Sequence, residues 1–407
     1  MTWRDQTILD ELILIVTIGC IVTAALWAAG HALLHKRDPR SALVWVSLSL
    51  TIPIIGALSY WLLGINRITR RALHWHKSGR RLGFQELYPP QPPQKNDLPL
   101  VFSGLATLEA LTDRVVRTRN HAGNQLMPLV NGEEAYPAML AAIDGARHSI
   151  HLSSYIFDGD RIGDRFVKAL AEAADRGVTV RVVVDALGER YSSLTARAAL
   201  QGSRVDIRLY LPLYKGPFIN LRNHRKLLIV DGQTAFTGGM NIRSNHCITS
   251  TTQNDGASDL HFQVAGPVVG DLQRIFLEDW FFVSGEHPDE LHNFPELVTS
   301  GTALARVIAD GPDREFRKLE WIVMGALSSA KQQVCIMTPY FIPDRPMVTA
   351  LITAALRGVS ITLILPQRNN LPFVAWASRA SYWELIKNGI QIFEQPPPFA
   401  QDRKSVV

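Results

Sequence analysis

Two long apolar stretches near the N-terminus constrain this chain more than any other feature. From Leu12 to Leu34 the only titratable side chains are His31 and Cys20, and from Ser41 to Ile65 there is no formal charge. An apolar helix of roughly 20 residues crosses the hydrocarbon core of a bilayer. The stretches therefore predict a hairpin of two transmembrane helices over residues 1–66. Two buried helices of a soluble core, or a signal peptide in place of the first stretch, are the alternatives.

The basic residues that flank these stretches predict their orientation. The turn between them carries Lys36, Arg37 and Arg40, whereas the outer flanks carry more positive charge, in Arg4, Arg67, Arg70, Arg71, Lys77, Arg80 and Arg81. Because cytoplasmic flanks hold the larger excess of Lys and Arg, we expect both ends of the chain in the cytoplasm. The acid-free segment from Arg67 to Arg81 suits anionic lipid headgroups, and the Pro-rich stretch from Tyr88 to Gln94 predicts an extended spacer. Residues 67–99 are thus a predicted linker, and a globular part is expected from about Leu100.

Charge and cysteine content narrow the class of partner. The chain has 42 Lys and Arg against 37 Asp and Glu, which gives a net charge of +5 and fits an anionic surface or substrate. This balance alone does not choose between lipid and nucleic acid. Cys20, Cys247 and Cys335 are far apart and form no CxxC pair, so neither a structural zinc site nor a disulfide framework is predicted.

The globular part repeats a strand and helix pattern. The segments HSIHLSSYIF, FVKALAEAADRGV and VTVRVVVDALG are followed later by QQVCIMTPYF, MVTALITAALRGV and VSITLILP. Near-continuous Val, Ile and Leu strands alternating with helices are typical of an α/β fold with a buried sheet. In both series the helix ends at a Gly, Gly177 and Gly358, before a strand begins. We therefore predict two similar α/β halves, at 100–300 and 301–407.

The stretch NHRKLLIVDGQTAFTGGMN carries the candidate chemistry. His224 and Lys226 are two residues apart, so on a strand they share a face, and a lysine beside an apolar run needs an anion or a polar network. A phosphate would meet that need. Gly238 and Gly239 allow close approach of the backbone to a ligand, and Asn241 offers amide donors.

This stretch matches His-x-Lys-x4-Asp-x6-Gly-Gly-x-Asn and is identified as the signature of the phospholipase D superfamily, with Asp231 as its aspartate. Four further segments make the resemblance more specific than the superfamily. They are the N-terminal hairpin, YIFDGDRIGDRFVKALAEAADRG, HFQVAGPVVGDLQRIFLEDW and MTPYFIPD. From about Leu12 to Phe399 the chain resembles bacterial cardiolipin synthases of the phospholipase D type.

The resemblance implies a reaction and a location. A phosphatidyl group passes from one phosphatidylglycerol to the terminal hydroxyl of another, glycerol is released, and no metal or other cofactor takes part. The expected partners are phosphatidylglycerol and anionic membrane lipids rather than nucleic acid. The expected location is the bacterial inner membrane, with several spans and the catalytic part in the cytoplasm.

The resemblance also implies roles for single residues. His224 would attack phosphorus and form a phosphohistidine, while Lys226 and Asn241 would hold the non-bridging oxygens. Asp231 would orient the motif. Asp259 is the candidate acceptor for the other ring nitrogen of His224. A metal site of His224, Asp231, Asp259 and His261 is conceivable by residue type but is not favoured, because the signature already accounts for His224 and Asp231.

The family uses one such motif in each half, and the second histidine acts as general acid and base. After NGIQIFEQPPPF this sequence continues AQDRKSVV, where no second motif follows. We therefore expect a second half that is truncated before its motif.

Four interpretations of the single motif stay open. The chain is a cardiolipin synthase whose turnover is impaired, or a homodimer pairs two motifs across an interface. Alternatively, it is a membrane-tethered phosphodiesterase or nuclease of the same superfamily. The last interpretation is an inactive lipid-binding remnant that keeps the phosphate pocket.

Overall fold

The computed structural model describes residues 3–36, 39–65, 105–116, 118–192, 194–212, 222–250, 256–286, 295–296, 298–309, 318–369, 371–400 and 405–406. The predicted basic segment and Pro-rich linker at 67–99 lie outside these residues, as do 401–404 of the AQDRKSVV stretch. Contacts divide the chain into two units, residues 1–72 and residues 73–407.

The N-terminal unit is helical. Helix α1 covers Trp3–His35, and its part Glu11–His35 is the one helix among the described residues that is long and apolar enough to cross a membrane, with a mean hydropathy of 2.5. Its apolar side chains are largely exposed within the chain, as in a helix that faces lipid rather than protein. The first of the two predicted spans is therefore present as one continuous helix.

The second apolar stretch is not one continuous helix. It forms α2 (Pro39–Thr51), α3 (Pro53–Ser59) and a π-helical turn at Tyr60–Gly64. Pro53 has no N–H to donate, and its ring disfavours the helical conformation at the preceding residue, so Ile52 adopts φ −128° and ψ 73°. The second stretch is therefore a helix broken at Pro53, and its crossing of the membrane stays a prediction.

The helical segments of this unit pack against one another. Tyr60 is buried with Ala28 and Ala32 of α1, and its hydroxyl lies 2.7 Å from His31 Nδ1. Gly56 leaves room for the Leu48 carbonyl, since a Cβ there would lie 2.2 Å from that oxygen. The second stretch thus bends sharply and packs on the first as a hairpin.

The first half of the globular unit is built around a mixed sheet. In chain order its strands are β1 (His121–Val130), β2 (Ser149–Ser154), β3 (Thr179–Asp185), β4 (Asp206–Tyr210), β5 (Leu227–Val230), β6 (Thr234–Gly238), β7 (Ala257–Ser258), β8 (Leu260–Ala265) and β9 (Ala303–Ala305). Among the described residues the large sheet has the order β4-β3-β2-β5-β6-β8-β1-β9. Strands β2, β3 and β4 are parallel, whereas β5 runs antiparallel to β2. The start of β5 therefore lies at the carboxyl edge of the parallel strands.

Helices cover both faces of this sheet. On these faces lie α5 (Asn131–Gly145), α6 (Arg161–Asp175), the short α7 (Ala196–Ala199) and α8 (Val269–Ser284), whereas α4 (Ala106–Val115) packs against the helix Lys318–Ser329 of the second half. Alternate residues along β5 point to opposite faces, so Leu228 joins the core with α5 and α6, while Ile229 joins the core with α8. Burial on both faces explains the unbroken apolar sequence of β5.

The second half repeats the parallel part of the first. Its elements are α9 (Lys318–Ser329), β10 (Gln333–Met337), α10 (Arg345–Leu356), β11 (Ser360–Pro366), α11 (Pro372–Arg379), α12 (Tyr382–Lys387), β12 (Gln391–Gln395), β13 (Phe399–Ala400) and β14 (Ser405–Val406). Strands β10, β11 and β12 are parallel, and β14 pairs with β10. Strand β13 pairs with β7 of the first half, so the chain returns there to the first half.

The matching junctions have matching causes. Asp160 caps α6 by accepting from the amides of Ile162 and Gly163, and Asp344 caps α10 by accepting from Met347 N. Gly177 and Gly358 have φ of +91° and +92°, a conformation that favours glycine, just after each helix. The predicted α/β class and the repeated order of elements are confirmed.

Candidate active site

The candidate site lies at the carboxyl edge of the parallel strands of the first half. His224 and Lys226 immediately precede β5, and Tyr155 immediately follows β2. Polar residues at this edge are a common arrangement for binding sites in α/β proteins, because strand ends open into loops there. The antiparallel direction of β5 brings the motif to this edge.

The histidine and lysine of the motif are in contact. Lys226 is buried, its Nζ lies 2.9 Å from His224 Nδ1 and 3.2 Å from Nε2, and it donates to the His224 carbonyl oxygen at 2.8 Å. The His224 ring packs on Tyr155 with ring centroids 4.8 Å apart, and Lys226 Nζ lies 5.7 Å from the centre of the Tyr155 ring. His224 is exposed, so its ring is accessible to a substrate.

Asn241 supplies a second buried polar group. Its Oδ1 accepts from Ile156 N at 3.1 Å, which fixes the orientation of the amide, and the Tyr136 hydroxyl lies 2.7 Å from its carbonyl oxygen. Among the described residues Asn241 Nδ2 is buried and has no hydrogen-bond partner. A buried donor without a partner is costly, and an anionic oxygen would satisfy it.

The glycine pair makes room for two buried side chains. A Cβ on Gly239 would lie 2.4 and 2.5 Å from the two carboxylate oxygens of Asp259, and a Cβ on Gly238 would lie 2.7 Å from His261 Nδ1. Asp259 is completely buried, and its Oδ1 accepts from Leu260 N. The glycines therefore have a packing function at this position, and their predicted contact with substrate stays a prediction.

His261 lies on the same row of the sheet as the motif lysine. It pairs with Gly238 in the β6–β8 ladder, and the β5–β6 register puts Lys226 opposite Gly238. Burial, reinforced by the nearby His246 and Lys226, lowers the pKa of His261 to about 3. This ring is therefore neutral at physiological pH.

Asp231 lies at the opposite end of β5. Its Oδ1 accepts from His148 N at 2.7 Å and Ser149 N at 2.9 Å, and its Oδ2 accepts from Arg147 N at 3.0 Å. At about 3.3 Å per residue, the strand holds it some 16 Å from Lys226 along the backbone. Asp231 thus ties the turn after β5 to the start of β2, and it does not join Asp259 and His261 in one cluster. Among the described residues, no group of His, Cys, Asp and Glu side chains is suited to hold a metal ion.

A charged network fixes the segment that carries His224. Asp185, at the end of β3, accepts from Asn223 N at 3.0 Å, and Asn223 Nδ2 donates to Asp279 Oδ2 at 2.9 Å. Arg225 binds Asp279 through Nη1 at 2.6 and 2.7 Å. Residues on both sides of His224 are therefore anchored to β3 and α8.

The sequence reasoning did not single out Tyr155, Asp185 or Arg222. Tyr155 and Asp185 could have been found, since each stands at the carboxyl end of a predicted parallel strand. Burial raises the pKa of Tyr155 to about 12, so its hydroxyl is neutral. Arg222 gave no separate signal, because a basic residue beside a basic motif resembles an exposed charge.

Comparison with known proteins identifies the relatives of this chain. Residues 139–280 and 323–406 match the family model described as cardiolipin synthase, PLD-like domain, and residues 23–64 match phospholipase D-nuclease N-terminal. The chain is 32% identical over 381 residues to a cardiolipin synthase of Geobacillus kaustophilus, covering 92% of this chain and 75% of that protein. It is 28% identical over 384 residues to the major cardiolipin synthase of Bacillus subtilis, covering 92% of this chain and 79% of that protein.

A solved structure shows the same fold. The phosphatidylserine synthase of Haemophilus influenzae matches with a TM-score of 0.50 at 13% identity, over 70% of this chain and 75% of that one. Such a low identity supports the fold alone.

Proposed function

This chain belongs to the cardiolipin synthase family of phospholipase D-like proteins, and from that membership we propose that it transfers a phosphatidyl group between two phosphatidylglycerol molecules. The observation that carries the proposal is the set of donors around an accessible imidazole. Lys226 Nζ lies 2.9 Å from His224 Nδ1, and the buried Asn241 Nδ2 has no partner among the described residues. A phosphodiester oxygen would give Asn241 Nδ2 an acceptor, and its negative charge would interact favourably with the ammonium group of Lys226.

The reaction proceeds through two displacements at phosphorus. A ring nitrogen of His224 attacks the phosphorus of the first lipid, a P–N bond forms, and the P–O bond to the departing glycerol breaks. The departing oxygen takes up a proton. The hydroxyl of a second phosphatidylglycerol then attacks, loses its proton, forms the new P–O bond and releases His224.

The charged and polar groups have separate functions in these steps. Lys226 and Asn241 bind the non-bridging oxygens, where negative charge increases in the transition state. Asp259 is the proposed acceptor that orients the His224 ring, and its complete burial supports a fixed position. Asp231 positions the strand from its far end.

The proton transfers require a second acid–base group. We also propose a homodimer in which a second copy of this chain contributes its own motif, so that its His224 acts as this acid and base. Mixing inactive His224→Ala chains with active chains tests this arrangement. Activity that falls with the square of the active fraction supports it, whereas activity proportional to that fraction contradicts it.

The lipid substrate fits a membrane location. We propose that α1 and the bent second stretch anchor the chain in the bacterial inner membrane, with the catalytic part in the cytoplasm. The apolar Glu11–His35 segment supports the anchor, and the excess of basic residues at the outer flanks supports the orientation. Accessibility of Cys335 to a thiol reagent that does not cross the membrane, compared between intact and opened cells, tests the orientation.

The deciding experiment follows labelled phosphatidylglycerol in membranes that lack other cardiolipin synthases. The wild-type chain is expected to form labelled cardiolipin and glycerol, and His224→Ala is expected to form neither. His148→Ala is the matched control, because His148 is exposed and only its backbone N–H contacts Asp231. Phosphatidic acid without cardiolipin would indicate a phosphodiesterase that uses water. Equal turnover by His224→Ala would refute the nucleophile.

A further inference from the structure

Arg222 is a buried cation at the carboxyl edge that the mechanism above does not use. Its side chain is 7% exposed, its Nη1 donates to the Leu211 carbonyl at 2.9 Å, and the same atom lies 3.6 Å from Asp185 Oδ1. Within the described part of the chain, Nε and Nη2 of Arg222 are buried and have no hydrogen-bond partner. Two guanidinium donors are thus available on a side chain that is already held in place.

Asp185 does not account for these donors. Its carboxylate accepts from three backbone amides, those of Leu187 at 2.8 Å, Gly188 at 3.3 Å and Asn223 at 3.0 Å. These hydrogen bonds already stabilise the carboxylate, and the nearest approach of Arg222 is longer than a hydrogen bond. An anion that accepts from Nε and Nη2 would satisfy both donors in the paired geometry that guanidinium groups make with phosphates.

The position of Arg222 relative to His224 follows from the strand order. Leu211 follows β4, Asp185 ends β3, Tyr155 follows β2, and the His224 ring packs on Tyr155. Neighbouring strands are about 4.8 Å apart, so the guanidinium lies roughly one to two strand spacings from His224 along the edge. Lys226 Nζ contacts the His224 ring, and Asn241 Oδ1 accepts from Ile156 N just after β2, so neither residue reaches the ends of β3 and β4 where Arg222 is held.

This arrangement fits the two phosphates of the product. In cardiolipin one glycerol links two phosphodiesters, so the acceptor lipid carries its own phosphate only a three-carbon bridge away from the reacting phosphorus. We propose that Arg222 binds the phosphodiester of the acceptor phosphatidylglycerol, while Lys226 and Asn241 bind the phosphate that is transferred. This inference rests on the proposed function, and it makes Arg222 a specificity residue that favours a phospholipid alcohol over water or free glycerol.

The first test compares two acceptors in the same vesicles of labelled phosphatidylglycerol. Cardiolipin formation requires an acceptor with a phosphate, whereas exchange of the headgroup with labelled free glycerol does not. In Arg222→Gln, cardiolipin formation is expected to fall about 10- to 100-fold, the range for loss of hydrogen bonds to a charged group. Glycerol exchange is expected to stay within about threefold of wild type, because it retains the same transition state at His224.

Two further variants control for folding and for charge. Arg197→Gln removes an exposed arginine that pairs with Glu189 and is expected to change neither reaction. Arg222→Lys keeps the charge but not the paired donors, so it is expected to recover part of the cardiolipin formation. An equal fall of both reactions in Arg222→Gln, or no fall in either, would overturn the proposal. A wild-type chain that exchanges glycerol but forms no cardiolipin would instead contradict the proposed function.

A binding measurement tests Arg222 without turnover. Equilibrium dialysis with labelled glycerophosphoglycerol, the water-soluble headgroup of phosphatidylglycerol, is expected to give two classes of site in the wild type and one in Arg222→Gln. Arg197→Gln is expected to keep both. Two classes of site in Arg222→Gln would overturn the proposal. A single class in the wild type that weakens in Arg222→Gln would also overturn it, because Arg222 would then bind the transferred phosphate. Thermal unfolding of each variant shows whether the loss of a binding site results from misfolding.

Discussion

Replacing Asp231 separates the architecture of the motif from its chemistry. Although Asp231 belongs to the signature, its carboxylate binds the backbone amides of Arg147, His148 and Ser149 at the far end of β5. Its φ of +52° lies in the left-handed region, which Asn and Asp tolerate better than Ala. We therefore expect Asp231→Ala to reduce stability and to leave the local chemistry of His224 intact.

The expected size of the effect follows from these contacts. Three hydrogen bonds to a charged acceptor contribute about 1 kcal/mol each when water can replace part of the lost interaction. Alanine in the left-handed region costs about 1 kcal/mol more. Asp231→Ala should therefore lower the free energy of unfolding by about 4 kcal/mol, a large part of the total for a typical domain. Asp231→Asn keeps one acceptor oxygen and tolerates the backbone conformation, so it should lose only about 1–2 kcal/mol.

The assay pairs unfolding with formation of the phosphohistidine. Urea unfolding of the full chain in detergent gives the stability, and acid-labile label transferred from phosphatidylglycerol to His224 gives the first chemical step. Below the unfolding transition, Asp231→Ala is expected to label per folded molecule within about threefold of the wild type. A variant as stable as the wild type that fails to label would refute this reasoning, because Asp231 would then act in the chemistry.

Three further predictions concern buried residues of the first half. Gly239→Ala is expected to lower both the stability and the labelling of His224, because its Cβ would lie 2.4 Å from an Asp259 oxygen. The control Gly145→Ala, whose Cβ meets no atom within 4 Å, should change neither quantity in the same unfolding and labelling assays. Asp259→Asn is expected to slow labelling about a hundredfold or more and to alter its pH profile; an unchanged profile would exclude an orienting carboxylate. Burial lowers the pKa of His151 to about 4, so below pH 6.5 the unfolded state binds a proton that the folded state does not. The free energy of unfolding should thus fall by about 3 kcal/mol between pH 6.5 and 4, and by less in His151→Asn. Urea unfolding at several pH values measures this, and an equal fall with pH in both proteins would contradict the prediction.

Part of the membrane unit was predictable and part was misjudged. The apolar composition of Leu12 to Leu34 was sufficient for α1, because helix length and hydrophobicity are local properties. The break at Pro53 was also visible in the sequence, since a proline inside a helical stretch removes a donor and restricts the residue before it. A prediction that considered only the absence of charge along the stretch missed this break.

The candidate site was predicted only in outline. The spacing of His224 and Lys226 placed them together correctly, because residues two apart on an extended chain share a face. The sequence assigned Gly238 and Gly239 to the ligand, whereas they also make room for His261 and Asp259, which approach from β8 and from the residue before it. Which side chains meet a glycine depends on strand pairing between distant segments.

The sequence by itself determined the α/β class and the repeated order of strands and helices, and it predicted a phosphate-binding motif, because these depend on short-range periodicity and residue type. Only the tertiary structure decided which residues share the carboxyl edge of the sheet. The reversal of β5 relative to β2 places Asp231 at one end and His224 at the other, and it brings Tyr155, Asp185 and Arg222 beside the histidine. Strand direction and register are set by long-range hydrogen bonds and by burial of both sheet faces, so no local pattern specifies them.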